Sequence, residues 1–218
     1  MRLLFTVALF LSIKISSSQN TTQINVKITP LINNQVNNSY SNIDSISINQ
    51  LKFYLTNFSL IKSKNTVWKE DKSYHLIDLS DTNTFSFLFN LLEKIDFDEI
   101  HFLLGTDSLT NVSGVMGGDL DPTKGMYWAW NSGYINFKIE GERNTIPFEF
   151  HIGGYAPPYQ SVQKIKLKTI NNESLNIRLN INKFIHQLNI NDQNKILSPG
   201  KEAQKLSLML SNLFSINE

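Results

Sequence analysis

Residues 125–141 read GMYWAWNSGYINFKIEG, and this stretch indicates a β-hairpin. Trp128 and Trp130 are two positions apart, so on a strand both side chains would point to one face of a sheet. The NSG that follows has the composition of a turn. After Tyr134 the residues alternate in the way that is typical of a strand. The stretch therefore predicts a hairpin whose first arm is unusually rich in aromatic side chains.

The same period of two recurs on both sides of the hairpin. Leu51, Phe53 and Leu55 share one face of a predicted strand. Further strands are predicted in INVKITPLI, DEIHFLLG, IPFEFHIGG, SVQKIKLKTI and SLNIRLNINKF. Residues 84–95 fit either a short helix or an apolar strand. Strands at this density, separated by turn residues, predict an all-β fold, an immunoglobulin-like antiparallel β-sandwich.

The C-terminal segment has a different pattern. In SPGKEAQKLSLMLSNLF, Ser198 is a candidate N-cap and Pro199 a candidate first helical residue. Helical spacing connects the apolar residues Ala203, Leu206, Leu210, Leu213 and Phe214. We expect one C-terminal amphipathic helix that packs against the sandwich.

The N-terminal residues resemble a signal peptide. Arg2 precedes an apolar run, Leu3–Ile13, that is short for a membrane span, and small residues follow it. We expect residues 1–18 to be a signal peptide and residues 19–218 to form a single domain. No later stretch is predicted to cross a membrane. The predicted location is the periplasm, the extracellular space or the cell surface.

The overall composition excludes several classes of site. The chain of 218 residues contains no Cys, which excludes disulfides and thiolate metal sites. Its net charge is +1 and it has no basic stripe along the sequence, so nucleic-acid binding is not expected. No Ser lies in a G-x-S-x-G turn and no thiol nucleophile exists. We therefore predict a binding protein rather than an enzyme.

Several motifs in order resemble the MbnP-like family, named for methanobactin-associated periplasmic copper-binding proteins. They are the Leu-Gly that ends a strand, a loop closing on LDPTKGM, the WAWNSGY core, a strand that reaches Glu-Gly, and the His of FHIGGY (150–155). Residues 50–150 carry the resemblance. It implies a protein that holds copper through His and a Trp-derived ligand, the Trp being oxidised to kynurenine. It also implies a dihaem cytochrome c peroxidase-like partner.

The resemblance can be carried over to individual residues. His151 stands at the position of the family's His, and Trp128 and Trp130 stand at its W-x-W position. Some members have a His in the loop after the Leu-Gly, and Asn111 falls at about that place here. His101 precedes the same loop and is a candidate second ligand, because imidazole suits copper and a site needs convergent ligands. The candidate metal ligands are therefore His151, His101, Trp130 and Trp128.

Two other interpretations remain open. Asp119 and Asp121 in GGDLDPTKG are compatible with a calcium-binding loop, but an Asp-Pro turn accounts for them with fewer assumptions. The aromatic pair could also fill a core, or serve an extracellular carbohydrate- or protein-binding β-sandwich without metal. The primary prediction is an exported copper-binding protein.

Overall fold

The computed structural model describes residues 22–32, 45–170 and 173–217. The predicted signal peptide, residues 1–18, lies outside the described residues. Within the described residues no helix is both long and apolar enough to cross a membrane.

Two β-sheets contain most of the described secondary structure. The smaller sheet consists of β1 (Thr22–Leu31), β5 (Ser86–Leu91), β11 (Ser174–Asn180) and β13 (Phe214–Asn217). The larger sheet consists of β2 (Ile46–Lys62), β3 (Asn65–Lys69), β4 (Tyr74–Asp78), β6 (Glu99–Leu104), β7 (Tyr127–Trp128), β8 (Gly133–Arg143), β9 (Ile146–Gly153), β10 (Gln163–Lys168) and β12 (Lys195–Ile196). The helices are α1 (Ser108–Val112), α2 (Ile181–His186) and α3 (Lys201–Ser211), with short 3-10 turns at Thr82–Phe85, Gly118–Leu120 and Pro122–Lys124.

The sheets pack face to face over one apolar core. Leu51, Phe53 and Leu55 of β2 point inward, as do Val26 of β1 and Ile177 of β11. These side chains are fully buried in one cluster that draws on both sheets. The predicted all-β sandwich is therefore confirmed.

Strand pairing is mostly antiparallel, with two exceptions. β1 pairs with β11 in parallel, and β12 pairs with β9 in parallel. These pairings were not predicted, because they join segments far apart in the chain. The ambiguous residues 84–95 contain the strand β5, which pairs with β1.

The C-terminal helix is present, but its bounds differ from the prediction. α3 begins at Lys201 after Gly200, not at Pro199, and Ala203, Leu206 and Leu210 are buried where it packs on β9 and β10. Phe214 is not helical but belongs to β13, which pairs with β11. The apolar spacing continued past the end of the helix because both elements face the same core.

The long strand β2 organises the larger sheet. Lys52 pairs with Asp78 of β4 and with Lys138 of β8, whereas Leu55 pairs with β4 and β6. Because a strand residue has one neighbour on each side, β6 and β8 must follow one another along the same side of β2. Residues 105–132 are thus an insertion between two nearly collinear strands. This insertion contains α1, the GGDLDPTKG loop and the aromatic hairpin.

Candidate functional site

The aromatic hairpin forms, but with a shorter first arm than predicted. Tyr127 pairs with Tyr134 and Trp128 with Gly133, so residues 129–132 make the turn. Trp128 and Trp130 consequently do not share a strand face. The ring centroids are 5.7 Å apart at an angle of 45°. Trp128 is 6% exposed and Trp130 is 66% exposed, which gives the two rings different roles.

Trp128 packs on the outer face of the larger sheet, away from the main core. It belongs to a second apolar cluster with Tyr54 and Met126. Tyr54 points outward from β2, because its two neighbours in the strand point into the main core. The ring of Trp128 lies against Gly153 of β9, which has no side chain to hold it away. Gly153 is two residues from His151, so both lie on the same face of the sheet. The fold therefore places Trp128 over Gly153, two residues along the same face of β9 from His151.

The insertion is held on the sheet by side-chain contacts of its central loop. Asp119 accepts a hydrogen bond from the Leu76 N–H at 3.1 Å and its other oxygen is 2.6 Å from Lys124 Nζ. Lys52 Nζ donates to the Lys124 carbonyl at 3.1 Å and pairs with Asp78 at 2.9 Å. Asp121 is also used internally, since it caps the turn that begins at Pro122. These contacts agree with the interpretation of GGDLDPTKG as a structural turn.

His151 faces outward from β9 and contacts a carboxylate. Its Nε2 is 2.7 Å from Glu140 Oε1, and Lys138 Nζ is 3.4 Å from the same oxygen. Lys138 lies directly opposite His151 in the register. Burial works to raise the pKa of Glu140, but the hydrogen bond with His151 and the charge of Lys138 outweigh it and hold that pKa below its usual 4.5.

The protonation of His151 follows from the same contacts. Burial lowers the pKa of His151 below its usual 6.5, although the hydrogen bond with Glu140 opposes this. The imidazole is therefore neutral at pH 7. An ionised carboxylate can only accept hydrogen bonds, so Nε2 carries the proton that it donates to Glu140. The lone pair of His151 lies on Nδ1.

His101 makes a similar pair in another part of the same sheet. Its Nε2 is 2.7 Å from Glu99 Oε2. His101 pairs with Ser59 of β2, whereas the row of His151 crosses β2 at Lys52. These two β2 residues are seven positions apart, which corresponds to roughly 20 Å at the rise of a strand. The structure does not bring His101 and His151 together.

The other two histidines are also separate from the aromatic hairpin's surface. His75 contacts Glu70 at 3.0 Å and stacks on Phe87 with ring centroids 3.6 Å apart. His186 ends α2. Within the described residues no group of three or more His, Asp or Glu side chains is arranged to enclose a metal ion.

Asn111 has a structural role that the sequence did not indicate. It is 3% exposed, its amide donates to Thr106 Oγ1 at 2.9 Å and to the Asp107 carbonyl at 2.8 Å, and its oxygen accepts the Tyr134 N–H at 2.8 Å. Both its amide nitrogen and its oxygen are used to fasten the hairpin to the start of the insertion. Asn111, which falls at about the place where the resemblance implies a His, is a buried structural amide.

Asn136 performs a related function where β6 ends and β8 continues. Its oxygen accepts the Thr106 N–H at 2.9 Å, and its amide donates to Ser161 Oγ at 2.9 Å. All three residues are buried. Sequence reasoning missed Asn136 and also Glu140 and Gly153. Glu140 could have been found by counting the register outward from the turn at Asn144, but Asn136 requires knowledge of the break between strands.

Comparison with known proteins agrees with the resemblance. A sequence model of the MbnP family matches residues 21–199. Among solved structures, MbnP from Methylosinus trichosporium matches with a TM-score of 0.55 and 12% identity, over 76% of this chain and 78% of that chain. At this identity the similarity concerns the fold. A search of curated proteins found no match. Since the family match spans most of the sequence and the fold is shared, the chain belongs to the MbnP family.

Proposed function

We propose that this protein is an exported copper-binding member of the MbnP family, with His151 as its lead ligand. The observation that carries the proposal is the pairing of His151 with Glu140 beside the surface covered by Trp128. Copper is the cargo of this site. The protein acts by binding, not by catalysis.

The donor chemistry at His151 suits a copper ion. Imidazole nitrogen is a good copper ligand. A metal-bound His generally donates its other ring N–H to a carboxylate, which fixes the ring and raises the basicity of the ligating nitrogen. Glu140 occupies that position, so Nδ1 of His151 is the donor.

The Trp pair supplies the second part of the proposed site. Trp128 is fixed by burial, whereas Trp130 is exposed and contacts Trp128. The family resemblance implies a Trp-derived ligand formed by oxidation with a dihaem peroxidase-like partner. Trp130 is the better candidate for that modification, because a partner can reach it. His101 is not part of this site, because it lies too far along the sheet.

Export completes the proposal. The apolar run after Arg2 and the small residues that follow it support cleavage after Ser18. N-terminal sequencing of the secreted protein should therefore begin at Gln19. Retention of the full-length chain inside the cell would contradict export without bearing on copper binding.

The experiment is metal analysis of the purified protein, with wild type compared with His151→Ala and His101→Ala. The control is closely matched, since each His contacts a Glu at 2.7 Å and each side chain is mostly buried, 16% exposed for His151 and 13% for His101. We expect about one copper per chain in the wild type and in His101→Ala, and none in His151→Ala. Absence of copper from the wild type, or its loss in both variants, would contradict the proposed site.

Intact mass and peptide mapping of the same preparations test the Trp-derived ligand. A mass change confined to the peptide with Trp130 supports it, and Trp130→Phe should then abolish the change. Unmodified Trp in a copper-loaded protein would remove this part of the proposal and leave His151 in place. Binding of glycans that is lost in Trp130→Ala, together with indifference to copper, would instead favour a carbohydrate-binding role.

A further inference from the structure

A recess lies on the outer face of the larger sheet, separate from the aromatic hairpin. It is a cavity of about 270 Å³ where β2, β3, β6 and β10 meet. Its polar lining residues are Asn57, Ser59, Thr66, Lys69, His101 and Lys164. Nothing in the proposed copper site uses these residues.

A β-bulge in β2 creates the recess. The register between β2 and β6 shifts between Thr56 and Ser59, and Asn57 has φ +56°. A bulge bends the strand and redirects its side chains, and bulges are frequent beside binding sites. Here Asn57 is turned away to donate to Asp107 at 2.9 Å. The recess lies beside this bulge, and Ser59 lines it.

Positive charge surrounds the recess. Lys69 lies on one side and Lys164 on the other. Lys166 pairs with His101 across β10 and β6, and Lys168 follows it on the same face. All four lysines are exposed, and among the ion pairs of the described residues none includes them.

The nearby carboxylates are already engaged. Glu99, which lies opposite Lys168, is 2.7 Å from His101 Nε2. Asp107 accepts hydrogen bonds from Asn57 and from the Thr110 N–H at 2.8 Å. These two carboxylates keep their charge. Burial works to raise the pKa of Asp107, but its hydrogen bonds and the charge of Lys69 outweigh it and lower that pKa. The four lysines nevertheless outnumber the two carboxylates. The surface thus keeps an excess of ammonium groups, together with hydroxyl donors from Ser59 and Thr66. Ammonium and hydroxyl donors are the groups that bind sulfate, phosphate and carboxylate.

We propose that this surface binds the oxyanion groups of a linear anionic polymer. Contrary to the expectation that the sequence has no basic stripe, Lys164, Lys166 and Lys168 are spaced two residues apart, or about 7 Å, in a row along the strand. A row of charges fits a chain of anionic groups better than a single small ion. Lys69 and the recess hold one such group at the side of the row. This function is independent of copper binding.

A protective role on the sheet edge is the competing explanation for the row. β10 ends the strand order of the larger sheet, and lysines on edge strands discourage edge-to-edge pairing. β3 is also an edge strand, since it pairs only with β2, so edge protection can account for Lys69 as well. That explanation does not account for the recess between the lysines. The two explanations differ in one prediction: only the proposed binding surface requires Lys69 and Lys164, which line the recess, for binding of an anionic polymer.

The test measures the affinity for heparin fragments, a linear sulfated polymer, over a series of salt concentrations. The first double variant, Lys69→Gln with Lys164→Gln, removes the two lysine charges that line the recess. The second, Lys166→Gln with Lys168→Gln, removes the other two lysine charges of the row. The matched control is Lys27→Gln with Lys201→Gln, two exposed lysines elsewhere that remove the same charge. Urea unfolding and gel filtration verify that each variant is folded and unaggregated.

We expect salt-dependent binding by the wild type that is weakened about tenfold or more in either test variant and is unchanged in the control. Equal weakening in the control, or no wild-type binding at low salt, would overturn the proposal. Loss in the row variant alone, with aggregation, would favour edge protection. Stronger binding of phosphatidylglycerol vesicles than of heparin would assign the surface to a membrane, and competition by millimolar inorganic phosphate would assign it to a free ion.

Discussion

The ring of Trp128 lies so close to Gly153 that a Cβ atom at position 153 would stand 2.5 Å from Cζ3 of Trp128. The same Cβ would be 2.8 Å from the Tyr134 carbonyl oxygen. Only glycine permits this contact, although its backbone conformation is not unusual. The contact fixes the position of the aromatic hairpin relative to β9, and thus relative to His151.

We expect Gly153→Ala to destabilise the protein by about 1–3 kcal/mol, because the added methyl group overpacks the contact between the ring and the strand. Urea unfolding measures the change. The matched control is Gly117→Ala, since a Cβ at Gly117 has no neighbour within 4 Å and its φ is −93°. An equal loss in both variants would mean that general backbone effects, not the Trp128 contact, determine the result.

The two Trp residues should respond differently to truncation. Trp128→Ala removes a buried ring from the second apolar cluster and should cost about 3–5 kcal/mol in the free energy of unfolding. Trp130→Ala removes a ring that is 66% exposed and should change stability by no more than about 0.5 kcal/mol. The same urea titration checks both. A large cost for Trp130→Ala would show that it packs more tightly in solution than its exposure indicates.

The difference between the Trp residues shows where sequence reasoning fell short. A spacing of two positions places both side chains on one face only where the strand includes both residues. The strand ends at Trp128, because residues 129–132 are taken up by the turn and Ser132 adopts φ +46°. Turn length cannot be read from a period of two, so the hairpin was predicted and the exposure of Trp130 was not.

Local patterns predicted the strands well because alternation is a property of each strand alone. The inward face of β2 around Phe53 followed directly from it. The collinear arrangement of β6 and β8 could not be predicted, since it depends on which side of β2 each strand occupies. His101 and His151 were grouped as ligands by residue type, and only the pairing along β2 reveals their separation.

Asn136 is expected to be essential for the junction between β6 and β8. Asn136→Ala would leave the buried Thr106 N–H without its acceptor and the Ser161 hydroxyl without its donor. We expect a loss of about 1–3 kcal/mol in stability for each buried group that stays unpaired. Asn90→Ala, at an exposed strand position of the smaller sheet, is the control and should be nearly neutral. Similar unfolding midpoints for Asn136→Ala and wild type would indicate that water replaces the amide.

The pair of His151 and Glu140 predicts that acid destabilises the protein in two steps. The folded-state pKa of His151 lies below 6.5, so between 6.5 and that lowered value the unfolded chain binds a proton that the folded chain does not. Stability therefore falls as the pH falls through this window. The pKa of Glu140 lies below 4.5, so its contribution is present above 4.5 and is lost as the pH falls further.

The first step can be isolated with His151→Gln, which cannot be protonated but can still donate to Glu140. We expect the wild type to lose more stability than this variant when the pH is lowered from 7.5 to 5.5, as measured by urea unfolding at each pH. The control is His101→Gln, in which His151 is intact. The stability that is lost through protonation of His151 should therefore be lost in this variant too. Because the His151 side chain is 16% exposed, solvent screens it only partly and the difference should be measurable. Parallel pH profiles for wild type and His151→Gln would mean that the pKa of His151 is the same in the folded and unfolded chains, which would contradict the lowered pKa.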